Sequence, residues 1–510
     1  MKSRTHFAKI NMVTGFLNRV IILGLPFVIR TIVIRKLGAE YLGLSSLFSS
    51  ILQVLNMAEL GFSSAVVFSL YKPMAEDNTD EICALLSFYR NVYKIIGIVI
   101  LACGGLLTPF LPYLIRGSYP SDINIYILYW MYLVNTSISY LCFAYKNVIF
   151  SASQRQDILN NVNSVVSISK FIIQIVILLI FQNYYFYIIW NVVFTLVENL
   201  AVAILTKKYH PEYVCRGNIG ANKKNEITKQ IKGLAVGQIT KVSRNSFDSI
   251  VISMFCGLTM VTIYSNYYYV LNAVIGIISI LTTSISAGVG NSIASDTIEK
   301  NYRDFKKFYY YFSLFGGVCT ICFFYLYQPF IELWVGEELK ASLYTMSLFC
   351  VYFYIIQMGL VRSVYANAAG IWWETRYVQI AEMISNIVLN FVLGYFFGVN
   401  GILIATIVTM TLFCVIGLTK ITFEVYFGNN YLEYIYLSLK YIIYTVITTI
   451  VCGLFEGFLD GYLIINTWIS FFVRAFIIAF FALFFYIIIS FVEKNNYFYM
   501  RELISKLRRS

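Results

Sequence analysis

Three ionisable residues sit inside an apolar helix-length segment that should not tolerate them. Residues Gly233 to Met254 read as membrane-spanning, yet they hold Lys241, Arg244 and Asp248. Spacings of three and four put all three on one helical face. A second apolar segment, Val13 to Ile34, carries Arg19 and Arg30. Eleven positions are close to three whole turns, so these two also share a face, roughly 16 Å apart along the axis. Each charge costs about 2.5–3.5 kcal/mol at mid-bilayer on insertion scales. That cost is sustained where the charges face a wet cavity or a charged ligand. Guanidinium forks donate two parallel hydrogen bonds, which suits phosphate oxygens. Gln238, Ser243 and Asn245 lie near the stripe and carry groups that meet hydroxyls. A plainer reading stands beside this one. Arg244 pairs with Asp248 at i,i+4, and Arg19 snorkels to the membrane surface. Asp248 is the only acid in either apolar segment, so it does not neutralise all four cations.

A second set of residues is acidic or amide-bearing. Glu59 lies in NMAELGF, Glu198 late in the sixth apolar segment and Glu382 early in the eleventh. Glu382, Asn386 and Asn390 follow one another at four-residue spacing and form one polar stripe. Acids at membrane depth carry protons or bind cations in transport proteins. For Glu198 and Glu382 the competing expectation is a position near the interface, solvated by water. Lys170 is either a further cavity cation or a partner for one of these acids.

The elements that must hold these residues follow from composition. The chain has 510 residues, 59% hydrophobic and only 13% charged, with seven prolines. Long apolar runs satisfy their backbone in lipid only as helices, so the expected fold is an all-α polytopic membrane protein. The strand-like alternation of a barrel is absent. Fourteen spans are expected, at 13–34, 42–70, 84–108, 123–149, 158–181, 184–206, 233–256, 261–290, 309–331, 342–366, 378–397, 400–424, 432–455 and 463–492. The net charge of +12 fits short cytoplasmic loops rather than a nucleic-acid partner. Lysine and arginine crowd one side: Lys2, Arg4 and Lys9 before the first span, then Lys207, Lys208, Arg216, Lys223, Lys224, Lys300, Arg303, Lys306 and Lys307, and finally Arg501, Lys506, Arg508 and Arg509. Both termini are therefore expected in the cytoplasm, in a plasma membrane. The first apolar segment is too long, and too interrupted by Arg19, for a cleavable signal.

Cys319 and Cys322 form a CxxC within a single apolar helix, where small residues for packing are expected rather than a redox pair. His6 and His210 are the only histidines, so no histidine metal site is expected. The aromatic runs at 266–270 and 309–312 read as packing and interfacial belts.

The expected organisation is an N-terminal six-helix lobe at 1–206, a basic linker at 207–228, a second six-helix lobe at 229–430, and two further helices with a basic tail at 431–510. The linker is a tether whose charge run reads as a lipid-surface anchor. A weak internal repeat supports two lobes. RKLGAEYLGLSSLFSSILQVLN aligns on MFCGLTMVTIYSNYYYVLNAVI with Gly38 on Gly257, and each follows the charged helix of its half. Same-direction repeats imply a pseudo-twofold axis along the membrane normal, with cargo at the interface.

The stretches ELGFSSAVVFSLYKPMAEDN (59–78), NSIASDTIEKNYRDFKKF (291–308) and VYANAAGIWWETRYVQIAEMISNIVLNFVLGYFFGVNGILIATIV (364–408) resemble bacterial polysaccharide-biosynthesis flippases of the Wzx type. These belong to the multidrug, oligosaccharidyl-lipid and polysaccharide exporter (MOP) superfamily. The resemblance runs along most of the chain and implies two six-helix lobes in a V shape working by alternating access. The implied cargo is an undecaprenyl-diphosphate-linked oligosaccharide moved from inner to outer leaflet for surface polysaccharide assembly. Membrane lipids, a polysaccharide polymerase and other assembly proteins are the implied partners. Related lipid flippases carry arginines on the first helix and charges on the seventh, where Arg19, Arg30, Lys241 and Arg244 fall. Some relatives bind sodium through an acid on the seventh helix and an Asn-xxx-Asp pair on the eleventh. Asp248 matches the first and Asn386 with Asn390 the second, although Asn at the second position removes one charge. Spans 432–492 resemble two extra helices that guide a lipid tail in some relatives.

No enzymatic activity and no resident cofactor are expected, with H+ or Na+ as the coupling ion. No Walker A pattern is present. The alternatives are a drug or cation antiporter of the same superfamily and a membrane glycosyltransferase or polymerase. An antiporter prefers an acidic, aromatic cavity, and the enzymes carry large loops with catalytic clusters that this chain lacks.

Overall fold

A computed structural model describes residues 4–507 apart from Leu60, 429–430 and 461–464. Side chains are described over that range except at 4–13, 16–17, 19, 58, 226, 229–230, 232–235, 460 and 506–507. Arg19 therefore lies outside the described side chains. The elements in chain order are α1 (Arg4–Lys36), α2 (Ala39–Leu55), α3 (Phe62–Ala75), α4 (Thr79–Leu107), α5 (Ile125–Leu141), α6 (Asn147–Ala152), α7 (Gln156–Ile180), α8 (Tyr184–Tyr209), α9 (Ala221–Cys256), α10 (Leu258–Ser295), α11 (Ile298–Val335), α12 (Leu343–Ala368), α13 (Arg376–Thr409), α14 (Leu418–Thr422), α15 (Tyr431–Asp460), α16 (Trp468–Ser490) and α17 (Lys494–Leu507). No strand occurs among the described residues.

Local chemistry marks where the helices begin. Asn78, Asn124, Asn183, Thr297, Ser342 and Thr467 each accept a hydrogen bond from a first-turn backbone N–H, which satisfies a donor the helix itself leaves free. Glycines at positive φ, Gly257 at 84° and Gly336 at 100°, end α9 and α11.

Among the described residues, nine helices are long and apolar enough to cross a membrane, and the pair at Ile125–Leu141 and Ala144–Ala152, bent by 46°, makes a tenth. One of the nine, Arg376–Phe427, runs for 52 residues. It doubles back at Gly398 (φ 59°, ψ −139°), because Asn386 before that glycine bonds Thr406 and Thr409 after it. The chain is a multi-pass, all-helical membrane protein. α9 carries Lys241, Arg244 and Asp248 within its apolar part and is not among these nine. α2, with 17 residues, is apolar but shorter than a full span.

Two expected spans are not continuous. The span expected at 42–70 breaks at a tight turn, Asn56–Glu59, and at Gly61 with φ 93°. The span expected at 123–149 breaks where Cys142 leaves helical geometry before Ala144–Lys146. Apolar runs hide such breaks, since composition does not change across them.

The chain divides into two compact units, Met1–Thr262 and Ile263–Ser510. The first has a core of Leu44, Leu47, Phe48, Leu128, Tyr129 and Leu133. The second is markedly aromatic: Phe305, Tyr309, Tyr365, Phe423, Phe427 and Tyr434 form one buried cluster, with neighbouring rings at centroid separations of 4.9–6.0 Å. Such offset and edge contacts add stabilisation beyond area burial.

The segment between α8 and α9 is short. α8 continues to Tyr209 and α9 starts at Ala221, so only residues 210–220 leave helical geometry. This segment is held to the first unit rather than free. Arg216 pairs with Asp80 at 2.9 Å, Lys223 pairs with Glu81 at 3.0 Å, and Cys83 Sγ contacts the Glu212 carbonyl at 3.5 Å.

Candidate functional site

Helix α9 has two polar faces. Thr240, Ser243, Ser246, Ser249 and Ser253, at spacings of three and four, are all buried and form a hydroxyl-bearing strip. Ser246 donates to Gln53 of α2 at 3.1 Å. The two helices approach closely beyond this point: a Cβ on Gly43 would lie 2.3 Å from the Leu258 carbonyl oxygen. Small residues permit that approach in membrane helices. The 112–116 segment closes the same end, with the Arg116 N–H on the Ser253 carbonyl at 3.0 Å and its guanidinium on the Phe255 carbonyl.

The other face carries the ionisable residues. Gln238 and Lys241 are exposed, Arg244 and Asn245 half-buried, and Asp248 only 1% exposed. The cations thus stand at the accessible end of the stripe and the acid at its sealed end. Arg30 is half-buried on α1 and acts electrostatically on the Tyr187 hydroxyl of α8. By helical rise it lies about 9 Å from the Lys36 end of α1, while Arg244 lies about 18 Å from the Cys256 end of α9. The longer α9 also brings Glu226 onto the same helix, upstream of the apolar segment.

Glu59 sits on the tight turn between α2 and α3. Its carboxylate accepts a hydrogen bond from Tyr93 of α4 at 2.8 Å. The Tyr93 ring packs on Tyr89 at 4.3 Å and on Tyr140 of α5 at 5.2 Å. Tyr140 in turn lines a polar cavity of about 310 Å³ between α5 and α8, with Asn56, Asn135, Thr195, Glu198 and Asn199. Lys170 of α7 lies within electrostatic reach of Glu198. Both broken spans end at this polar layer. Nothing in the sequence pairs Tyr93 with Glu59, but the helix-breaking Gly61 beside the acid is a local signal.

In the second unit the stripe Glu382, Asn386, Asn390 is fully buried, each residue at most 2% exposed. The solvated position expected for Glu382 is therefore not found. The returning segment supplies the reason. Asn386 Nδ2 donates to Thr406 at 3.2 Å and Thr409 at 3.3 Å, Asn390 donates to Asn386 at 3.3 Å, and Cys414 Sγ lies 3.1 Å from Glu382 Oε2. Cys414 belongs to a π-helical stretch, Met410–Gly417, a widening that frequently marks functional sites. The threonines and the cysteine were not singled out from sequence, because their register to the stripe depends on the turn at Gly398.

Cys319 and Cys322 on α11 are free and line an apolar cavity of about 170 Å³ together with Val270, Val274 and Phe471. No cluster of three or more His, Cys, Asp or Glu suited to a metal occurs among the described residues.

No protein-family model matches the chain, and no curated protein does. Solved structures do. The chain resembles a lipid II flippase, MurJ, in an inward closed conformation, at a TM-score of 0.66 and 17% identity over 97% of this chain and 99% of that one. It resembles an inward-facing multidrug-resistance MATE family transporter of the MOP superfamily at 0.63 and 13% identity, over 80% of this chain and 94% of that one. A mutant of the Vibrio cholerae MATE transporter VcmN follows at 0.57 and 12% identity, over 84% of this chain and 98% of that one. The fold is that of these transporters.

Proposed function

We propose that the chain is a flippase for a polyprenyl-diphosphate-linked oligosaccharide, the undecaprenyl-linked repeat unit of a surface polysaccharide, worked by alternating access. The observation that carries the reading is the charged face of α9, where Lys241 and Arg244 stand at the accessible end of a stripe closed by buried Asp248. The lipid II flippase likeness supports it by extent, since it covers 97% of the chain against 80% for the MATE structure. α15 and α16 and the apolar cavity at Cys319 and Phe471 suit a polyprenyl tail.

In this reading Arg19, Arg30, Lys241 and Arg244 hold the diphosphate, and Gln238 and Asn245 meet sugar hydroxyls. The tail stays in lipid. An inside-negative potential favours outward movement of an anion by about 2.3 kcal/mol per charge per 100 mV, or roughly 4–5 kcal/mol for two charges. Asp248, Glu59, Glu382, Asn386 and Asn390 are the ion-coupling set, for H+ or Na+. The membrane is the bacterial plasma membrane with both termini cytoplasmic, and polymerase and other assembly proteins are the partners.

The test is flipping of defined lipid-linked sugars in liposomes, with and without an imposed potential. Arg30→Ala and Arg244→Ala abolish transport while expression is retained, and Lys at either position restores part of it. Normal flipping by both alanine variants overturns the assignment. The MATE likeness favours a second reading, a drug or cation antiporter. Efflux of cationic dyes by the same liposomes, without sugar-lipid movement, selects it.

A further inference from the structure

Helix α17 follows the last membrane-crossing helix after a three-residue break and packs back onto the second unit. Its level is fixed by its contacts. Lys307 Nζ meets Glu502 at 2.8 Å, the Tyr311 hydroxyl donates to the Tyr499 carbonyl at 2.7 Å, and Asn496 Nδ2 donates to the Ser490 carbonyl at 3.1 Å. Lys307 is the last of the basic residues Arg303, Lys306 and Lys307, and the apolar run of α11 begins just after it. α17 therefore lies at the border between the apolar and polar zones.

The inward face of α17 carries Asn496, Tyr499, Met500 and Leu503. The outward face carries Lys494, Tyr497, Phe498, Arg501 and Ile504, all exposed. Three large apolar side chains stand there, 48%, 58% and 46% exposed at Tyr497, Phe498 and Ile504. Three acids near this end are held by other cations. Glu433 is paired with Lys306, Glu493 with Lys440 and Glu502 with Lys307. Lys494 and Arg501 form no ion pair among the described residues. The outward face is thus aromatic, apolar and purely cationic, and the chain continues into Lys506, Arg508 and Arg509.

We propose that this face of α17 binds anionic phospholipid headgroups at the membrane surface on the side of the C terminus. Tyr497, Phe498 and Ile504 enter the headgroup–acyl boundary, and Lys494 and Arg501 meet lipid phosphates. Aromatic and apolar residues flanked by lysine and arginine are the composition that surface-lying helices use. Anionic lipid adds an attraction that neutral lipid lacks.

The probe is the full chain carrying Phe498→Trp in nanodiscs of brominated phosphatidylcholine, with or without brominated phosphatidylglycerol. The six native tryptophans are subtracted using the unsubstituted chain. The expected result is quenching of the added emission by both lipids, clearly stronger for the anionic lipid at equal content. Lys494→Gln with Arg501→Gln removes that preference and leaves quenching by neutral lipid. Amide exchange over 491–505 in the unsubstituted chain slows in anionic discs in parallel. Unquenched emission in both lipids, equal quenching by both, or protection that arises only on adding soluble cell protein overturns the proposal.

Discussion

Arg474 of α16 and Glu456 of α15 form a buried ion pair between the two last membrane-crossing helices. The guanidinium Nε donates to Glu456 Oε1 at 2.9 Å and Nη2 donates to the same oxygen, with both side chains nearly sealed from their surroundings. Removing one partner leaves the other charge buried and uncompensated. Glu456→Gln is expected to destabilise the chain by about 3–5 kcal/mol, whereas the double change Glu456→Met with Arg474→Met is expected to be close to neutral. Thermal unfolding in detergent micelles separates the two. A double variant as damaged as the single one would assign the pair a structural role beyond charge balance.

The buried stripe on α13 gives a second expectation. Asn390 donates to Asn386, which donates to Thr406 and Thr409, so the site already holds oxygens at membrane depth. Asn390→Asp adds the missing charge. Sodium affinity is expected to rise at least tenfold, worth ~1.4 kcal/mol, read as a sodium-dependent shift in melting temperature. An equal shift in the unsubstituted chain and the variant would show that this stripe does not hold the ion.

The extent to which the sequence disclosed these features depends on range. The all-helical, multi-pass architecture follows from apolar run length, and the shared face of Lys241, Arg244 and Asp248 and the four-residue stripe at Glu382 follow from periodicity, both of which are local. The breaks at Asn56–Gly61 and Cys142–Lys146 were concealed because hydropathy is unchanged through them, although Gly61 gave a hint. Arg474 stands out in SFFVRAFIIAFF, but its partner Glu456 precedes it by eighteen positions across a turn, and no pattern links them. Tyr93 on Glu59 and Thr406 on Asn386 are likewise tertiary, set by how helices return on one another.

The segment between α8 and α9 yields a third expectation. Of the two ion pairs that tie this region to α4, Lys223–Glu81 is the less exposed and Arg216–Asp80 is more open to water. Exposed pairs contribute about 0.2–1 kcal/mol each. Glu81→Lys is expected to speed proteolytic cleavage within 210–220 by up to about fivefold, with Glu81→Lys plus Lys223→Glu returning the rate to its starting value. Asp80→Asn should give a smaller change. An unaltered rate in Glu81→Lys would mean that Cys83 and Ile227 packing alone holds the segment.

Glycine positions test the two closest backbone approaches. A Cβ at Gly401 would lie 1.9 Å from the Leu393 carbonyl oxygen, and at Gly43 2.3 Å from that of Leu258. Both obstacles are main-chain atoms, which cannot rotate aside as a side-chain tip can. Alanine there must push a helix away, so the cost should reach or exceed the ~1–3 kcal/mol of ordinary overpacking. Gly288 of α10 has nothing within 4 Å of a built Cβ and has helical neighbours on both sides. Alanine there reduces the freedom of the unfolded chain and should stabilise by about 0.5–1 kcal/mol. The expected order of melting temperatures is Gly288→Ala at or above the unsubstituted chain, with Gly43→Ala and Gly401→Ala well below it. If Gly401→Ala melts with Gly288→Ala, the chain does not double back at Gly398, and the partners of Asn386 must be sought elsewhere.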